Sequence, residues 1–447
     1  MNMAGGTWTS QNKVRPGVYI RFTSSRGLGL VVGERGIVTI PEALSWGPVG
    51  VVQTVEAGDD MRPYCGYDIT APQAQFLNEI FKGTNRTSAP YRVYLYRLAA
   101  TSSAEATATT GALTATAKYP GVRGNDITIV ITEDVDNEGS FTVSTVVDNE
   151  IMDEQTAETV ADLVANDWVT WSGTGALTAT VGAPLAGGAD GTVQSSAYPD
   201  YLEAIEPYKF DIMIYDGTDT TVQDAMIAFV KRMCDDNGQY CQLVAAGLTN
   251  PDSRFVINVQ SGATLNDGTV LTAAQTCWWA GGAEAGAKYN ESLTYAQYPG
   301  AIACSPVMKN SQYIEALTSG ELVLYAEDGK VRIEQDINSL VTLTQDITKP
   351  YQKNRVIRLC NTIANDVYRQ FTDSYIGVVN NNDEGRMMFK NAIVGYLLDI
   401  QANNGIQNFE PEDVEVLPGT DIDAIVVNIV IQAVDSVEKI YLTIEVN

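Results

Sequence analysis

Apolar and polar positions change period several times along the chain, and each change marks an element. Arg15-Pro16-Gly17 breaks the chain ahead of Val18-Tyr19-Ile20-Arg21-Phe22, a short β-prone run behind a polar Gly/Ser/Thr tail. From Asp68 to Gly83 the spacing predicts a helix: Pro72 suits its first turn, Phe76, Leu77, Ile80 and Phe81 share a face, and Gly83 ends it. Tyr91–Leu98 reads as a strand. After Pro207, Phe210–Tyr215 is a near-continuous apolar run, as a strand covered on both faces requires. Thr221 and Asp224 predict a capping box, and Val222, Ala225, Met226, Phe229, Val230 and Met233 follow at helical spacing. Gly238 stops that helix and Tyr240–Ala246 is a second buried strand, completing a βαβ unit. Val256–Val259 adds a strand and Thr272–Ala287 a helix. The last third predicts a hairpin of Glu321–Tyr325 and Lys330–Gln335 around Glu327-Asp328-Gly329. Two amphipathic helices follow, near 352–371 and 384–402, and then two closing strands, Ala424–Gln432 and Lys439–Val446.

Composition interrupts this pattern once. Ala, Thr, Ser and Gly dominate 99–117 and again 173–197, and Gly-Ala-Leu-Thr-Ala-Thr occurs at both 111–116 and 175–180. Alternating runs at Ile127–Thr132 and Phe141–Val147 lie between them, and residues 99–197 carry a net charge of -12. That is the mark of a β-rich module with a strongly solvated surface, inserted into another domain. The expected fold class is therefore an α/β core domain (a mixed sheet with flanking helices) with an inserted β-rich domain and extended N- and C-terminal β arms. The divisions fall at 1–26 (an N-terminal linker arm), 27–98 (first part of the core), 99–197 (the acidic insert), 198–345 (the α/β core) and 346–447 (a C-terminal domain ending in a strand arm).

Charge and residue usage then close off several functions. The formal net charge of -27 over 447 residues repels nucleic acid and anionic membrane surfaces. No run approaches the ~18 apolar residues of a membrane span, and MNMAGGTWTSQNK lacks the layout of a secretory signal, which predicts a protein made and kept in a cytoplasm. The six cysteines are scattered and form no C-x-x-C pair, as expected of reduced, partly buried thiols. There is no histidine, which removes Ser-His-Asp and Cys-His catalysis and His-ligated zinc.

The remaining motifs miss their chemistry. Gly27, Gly29 and Gly33 depart by one residue from dinucleotide-loop spacing and lack a preceding strand. Gly281 to Gly286 precedes Ala287-Lys288, so neither the Lys nor the Ser/Thr of a phosphate loop is in place. Asp134, Asp136, Glu138 and Gly139 begin like a calcium loop, but Thr145 stands where a bidentate Glu is needed, and a hairpin turn is favoured. No catalytic residue, metal ligand or cofactor is therefore assigned. The helix near 352–371 sets Lys353, Arg355, Arg358 and Arg369 against one acid, Asp366, which in so acidic a chain suggests a basic face for an acidic partner.

The ends differ most from the rest. Residues 1–33 carry four bases and no acid, whereas 401–447 carry a net -8, and both segments hold short strands. Between copies, a basic strand-bearing arm meeting an acidic one makes a head-to-tail contact that does not close, which builds filaments or tubes.

In this respect the chain resembles the contractile tail sheath proteins of myophages and phage-tail-like bacteriocins. The resemblance is carried by Arg15-Pro-Gly-Val-Tyr-Ile20, Tyr119-Pro-Gly-Val-Arg-Gly-Asn-Asp-Ile127 and Leu185-Ala-Gly-Gly-Ala-Asp-Gly191. Asn354-Arg-Val-Ile357 with Ile363-Ala-Asn-Asp366, and Gln432-Ala-Val-Asp-Ser-Val-Glu-Lys-Ile-Tyr441, complete it in the same order along the chain. It implies a homo-oligomer of stacked rings forming a helical sheath around a tail tube, with baseplate and tail terminator as further partners. Such a sheath is assembled in a bacterial cytoplasm as part of a virion tail or a released tail-like particle, and its contraction drives the tube through an envelope. Strand exchange would run through Val18, Tyr19, Ile20, Arg21 and Phe22 at one end and Ile440, Tyr441, Leu442, Thr443 and Ile444 at the other. Lys353, Arg355 and Arg358 would face the tube. A surface-layer protein and a carboxylate-based hydrolase are the alternatives; the first calls for a signal peptide and the second for two close, perturbed acids in a cleft.

Overall fold

The computed structural model describes residues 32–446 apart from Asp136 and Glu138, together with a parallel backbone pairing of Gly5–Gly6 with Val18–Tyr19. A seven-stranded sheet organises the core. Its strands are β1 (Ile37–Glu42), β2 (Val52–Glu56), β3 (Arg92–Arg97), β4 (Ile212–Tyr215), β5 (Gln242–Ala246), β6 (Val256–Val259) and β7 (Glu321–Leu322). Their spatial order is β7-β6-β5-β4-β1-β3-β2, parallel throughout except for the antiparallel pair of β2 with β3. The expected mixed sheet is thus present, and chain segments from both sides of the insert build it.

Both faces of the sheet are covered, which is why β4, β5 and β6 are buried at every position without alternation. On one face Val38, Ile40, Leu95, Ile214 and Val244 share a core cluster with Phe76, Leu77 and Ile80 of α1 (Gln75–Ile80). On the other, Met213, Tyr215 and Leu243 pack against α2 (Thr220–Asp235), through Met226, Phe229 and Val230. The cap of α2 is Asp219, whose carboxylate accepts the Thr221 amide at 2.8 Å, and not the expected Thr221. A third helix, α3 (Ala273–Gly286), lies buried against the first face. Its Trp279 stacks on Tyr298 at 3.9 Å between ring centroids and donates its indole N–H to the Gly83 carbonyl at 2.8 Å.

The glycines of α3 are there for approach, not for phosphate. A Cβ on Gly282 would stand 2.1 Å from the Ile80 carbonyl oxygen, and one on Gly281 2.4 Å from Ile214 Cγ1. Gly→Ala inside a helix ordinarily stabilises by up to ~1 kcal/mol. At Gly282 the backbone of α1 cannot yield, so Gly282→Ala is expected to destabilise by about 1–3 kcal/mol, read as a lower denaturant midpoint.

The expected hairpin is shorter than its pattern. Glu321–Leu322 joins the main sheet as β7, and only β8 (Leu324–Glu327) pairs with β9 (Lys330–Ile333). Asp328 at φ 51° and Gly329 at φ 69° form the turn.

The insert is a sandwich of two antiparallel sheets, of four and three strands, around a core of Ile129, Ile131, Val143, Leu113 and Ala115. In Leu113–Ala117 the alternating Thr and Ala residues put Ala inward, which explains the odd composition. The second copy of the repeated hexapeptide forms no equivalent strand, only a single antiparallel bridge of Ala176 with Thr159 ahead of the strand Thr180–Pro184. Ala100–Thr101 pairs antiparallel with Thr192–Val193 where the insert leaves and rejoins the core. Trp46, from the core, packs between Tyr119 and Trp168 of the insert, with centroids at 5.3 and 4.9 Å. Arg123, 2% exposed, reaches back to the Gly66 carbonyl at 2.8 Å while binding Asp126 and Asp148 within the insert.

The C-terminal domain rests on α4 (Asn354–Ser374) and α5 (Asp383–Ala402), whose inward Leu359, Ile363, Phe389, Ile393 and Leu397 form one cluster. A hairpin of β10 (Val414–Pro418) and β11 (Ile425–Ile429) lies on this cluster. Among the described residues, no helix is long and apolar enough to cross a membrane.

Candidate assembly interface

Alternation along β10 and β11 decides what the hairpin buries. Val414, Val416, Ile425, Val427 and Ile429 turn toward the helices, while Leu417 and Val426 stand 40% and 46% exposed. A two-stranded sheet of this kind is marginal alone. β10 and β11 pair only with each other among the described residues, so each keeps an outer edge whose backbone N–H and C=O groups can template a further strand.

After β11 the backbone is paired twice more. Gln432–Ala433 pairs with Ile406–Gln407, and the Val434 amide donates to the Gly405 carbonyl at 3.0 Å. Beyond that, Val437 is 84% exposed, Ile440 83%, Tyr441 91%, Leu442 77% and Ile444 74%. The expected strand at Lys439–Val446 does not form with any described residue of the chain. Its β-prone residues find no edge within reach, and water covers a row of large apolar side chains that a folded chain normally buries. Of the N-terminal run, Val18 and Tyr19 are described only as backbone, and Ile20, Arg21 and Phe22 lie outside the described residues.

Between these segments sits the set of cations expected to form a basic face, and here the structure corrects the sequence. Arg358 is 0% exposed. It binds Glu284 of α3, Asp336 at 2.7 Å and the Glu291 carbonyl at 2.6 Å. Asn354 donates to Glu284 at 3.0 Å. Arg355 is 7% exposed and donates to the Asn404 carbonyl at 3.2 Å. Lys353 is paired with Glu438. All three point into the joint between core and C-terminal domain, so α4 presents no basic face through them. The reason is composition elsewhere: Glu284, a lone acid in the Ala/Gly-rich α3, needs a buried cation, and spacing along α4 could not reveal it. That lone acid was the one available signal.

Electrostatics in the joint follow burial. Desolvation pushes the Glu284 carboxyl well above the usual range, and the Asp336 charge adds to it. Burial would raise Asp336 as well, but the Arg358 guanidinium outweighs it and holds that carboxyl low. Glu438 behaves similarly: burial opposes its charge, and hydrogen bonds from Lys353, Gln335 and Thr294 bring its carboxyl below the ordinary value.

A second close carboxyl pair lies at the C-terminal ends of β1 and β4, between Glu42 and Asp216. There the Trp278 indole donates to Asp216 at 2.9 Å, and burial first, then Asp216, drives the Glu42 carboxyl up. No group of three or more potential metal ligands occurs among the described residues.

Comparison with known proteins fits this geometry. Residues 35–98 match the tail sheath protein Gp18 domain III N-terminal region, and 100–190 the phage tail sheath protein beta-sandwich domain. Residues 191–339 match the phage tail sheath protein central domain, and 346–447 the phage tail sheath C-terminal domain. The phage-like element PBSX protein XkdK of Bacillus subtilis (strain 168) is 33% identical, over 100% of both chains. The crystal structure of a sheath tail protein from Desulfitobacterium hafniense superposes with a TM-score of 0.85 at 44% identity, covering 95% of this chain and 99% of that one. The anti-feeding prophage helical sheath in its contracted state shares the fold, with a TM-score of 0.57 at 13% identity over 97% and 99% of the two chains. With four sheath domains matched in order and close relatives spanning its whole length, the chain belongs to the phage tail sheath protein family.

Proposed function

We propose that the chain is the repeating subunit of a contractile sheath, polymerising helically around a tail tube and shortening to drive that tube through a bacterial envelope. The observation that carries this reading is the C-terminal segment 439–446. It is an exposed apolar run with no strand partner among the described residues, in a protein whose own hairpin, β10–β11, has open edges. Ile440, Leu442, Ile444 and Val446 alternate with Tyr441, Thr443 and Glu445. Added to the edge of a neighbour's hairpin, the first set extends that hairpin's apolar inner face. The basic N-terminal run, Val18–Phe22, adds to a neighbouring sheet by the same backbone hydrogen bonding.

Joints made by backbone hydrogen bonds at roughly 1 kcal/mol net each leave subunits free to rotate while staying linked. Contraction is then a relaxation from a metastable ring stack to one with larger contacts, and no nucleotide is consumed. The likeness in fold to a sheath in its contracted state supports this reading. Tail tube, baseplate and terminator are the expected partners, in a virion tail or a tail-like particle assembled in a bacterial cytoplasm. With Lys353, Arg355 and Arg358 paired inside the subunit, tube contact is proposed to fall on other residues. Electron microscopy of the purified protein at high concentration tests the reading. Tubes of uniform width are expected, and monodisperse monomers alone would refute it.

A further inference from the structure

Glu438 is held by its side chain in a stretch that is otherwise loose. Val437 before it and Ile440 after it are 84% and 83% exposed, yet the Glu438 side chain is 12% exposed. Three donors converge on that one carboxylate: Lys353 Nζ, Gln335 Nε2 at 2.6 Å and Thr294 Oγ1 at 2.8 Å. They come from three separate segments. Thr294 Oγ1 in turn accepts the Asp336 amide at 3.0 Å, and Asp336 binds Arg358 at 2.7 Å. The Asn354 amide donates to the Asp336 carbonyl at 3.2 Å, which ties the same loop to the start of α4.

Surface ion pairs seldom gather this many partners, and one required merely to tidy a loose end would not. A charge-assisted cluster fixed to the domain joint does serve a segment that must pull on a neighbour. We infer that Glu438 is the root of the C-terminal arm: a positioning residue that fixes where the exchanged strand begins and passes its tension into the joint between core and C-terminal domain. The inference rests on the strand-exchange reading above and adds the element that sets the arm's length.

The length follows from the anchor. With Glu438 held, the run 439–446 starts at a fixed point and spans at most about 28 Å when extended. Without it, the next fixed point is Val434 on Gly405. The free segment then begins at residue 435 and spans up to about 42 Å. That slack of about 14 Å would let neighbouring subunits sit at variable spacing.

Lys439 follows the root directly and offers trypsin a cleavage site whose neighbour at 438 must be released before the protease can seat it. Trypsin clipping after Lys439, measured by mass spectrometry on the folded monomeric full-length chain, therefore reads the anchor without any assembly. Charge-assisted hydrogen bonds are strong enough that Glu438→Ala is expected to clip about tenfold faster than wild type. Glu438→Gln and Lys353→Met are expected to fall between, with far-ultraviolet circular dichroism unchanged in all. Equal clipping rates in wild type and Glu438→Ala would overturn the inference. Should Glu438→Ala fold poorly, Gln335→Ala removes one donor and gives the same comparison. In the assembled state, Glu438→Ala tubes are expected to form with a broadened axial repeat, and a repeat as sharp as wild type would overturn the length-setting role. Absence of tubes in the wild type would instead refute the strand-exchange reading and leave the clipping comparison intact.

Discussion

Arg358→Ala is expected to lower the unfolding free energy by about 3–5 kcal/mol, the largest stability loss of any single substitution considered for this chain. The guanidinium lies at 0% exposure between Glu284, also at 0%, and Asp336 at 1%. Truncation leaves two buried carboxyl groups with no cation between them, and strips the Glu291 carbonyl of its donor. Both carboxyl groups are buried, so without the cation their protonated forms are favoured. This sets the pH dependence. Glu284 is already raised, first by burial, so between its ordinary range and its raised one the folded protein binds more protons than the unfolded, and stability falls as pH rises. Removing Arg358 raises Glu284 further and frees Asp336 to rise, which steepens that fall. Thermal melts at pH 5 and pH 8 should therefore separate more widely for the variant than for wild type. Glu284→Gln is expected to be milder, because Arg358 then keeps Asp336. A variant melting within a degree of wild type at both pH values would show that the cluster adds nothing to holding the domains together.

Truncation after Glu438 is expected to do the opposite: leave the monomer's melting temperature unchanged and abolish polymerisation. The residues removed are 74% exposed or more where their exposure is large and apolar, so the isolated fold loses almost no buried surface. Between copies the arithmetic reverses. Burying Ile440, Leu442 and Ile444 against a neighbour contributes about 1.5–3 kcal/mol each, and the strand's hydrogen bonds add about 1 kcal/mol apiece. Even after ordering the arm, a joint of about 5 kcal/mol corresponds to more than three decades in association constant. In the proposed sheath each subunit would make such joints with more than one neighbour, so the expected effect on tube formation is all-or-none. Sedimentation and microscopy of truncated and intact protein at equal concentration make the comparison, and truncated protein that still forms regular tubes would rule out strand exchange at this end.

What the sequence revealed followed the strength of its periodicity. Met226, Phe229, Val230 and Met233 predicted α2 to within two residues, and Val256–Val259 and Phe141–Val147 are strands with the bounds expected. β1, in the middle of the sheet, was missed. Its Ile37-Val-Thr-Ile-Pro-Glu42 is short and carries Pro41, so only tertiary pairing with β3 and β4 reveals it. The helix expected over 68–83 contracts to Gln75–Ile80 because a 3-10 turn at Pro72–Ala74 precedes it. At the interface, the apolar character of 439–446 was legible, because alternation is a local property. The fate of Lys353, Arg355 and Arg358 was not. Whether a cation on a helix meets water or a buried acid depends on Glu284, 74 residues away from Arg358, and no local pattern links the two.

The two-residue pairing of Ala100–Thr101 with Thr192–Val193 has a consequence for how such chains diverge. Seen from the core, everything between those strands is one closed detour whose ends already touch, so its size and sequence cost the core only a slowly growing closure entropy. The detour is thus an exchangeable cassette, free to change while the core sheet it leaves and rejoins keeps its geometry. What limits the exchange is not the neck but its bracing. Any replacement must still offer aromatic partners to Trp46 and a cation to the Gly66 carbonyl, as Tyr119, Trp168 and Arg123 now do. A foreign domain grafted at residues 101 and 192 without them would be tethered to the core but free to swing.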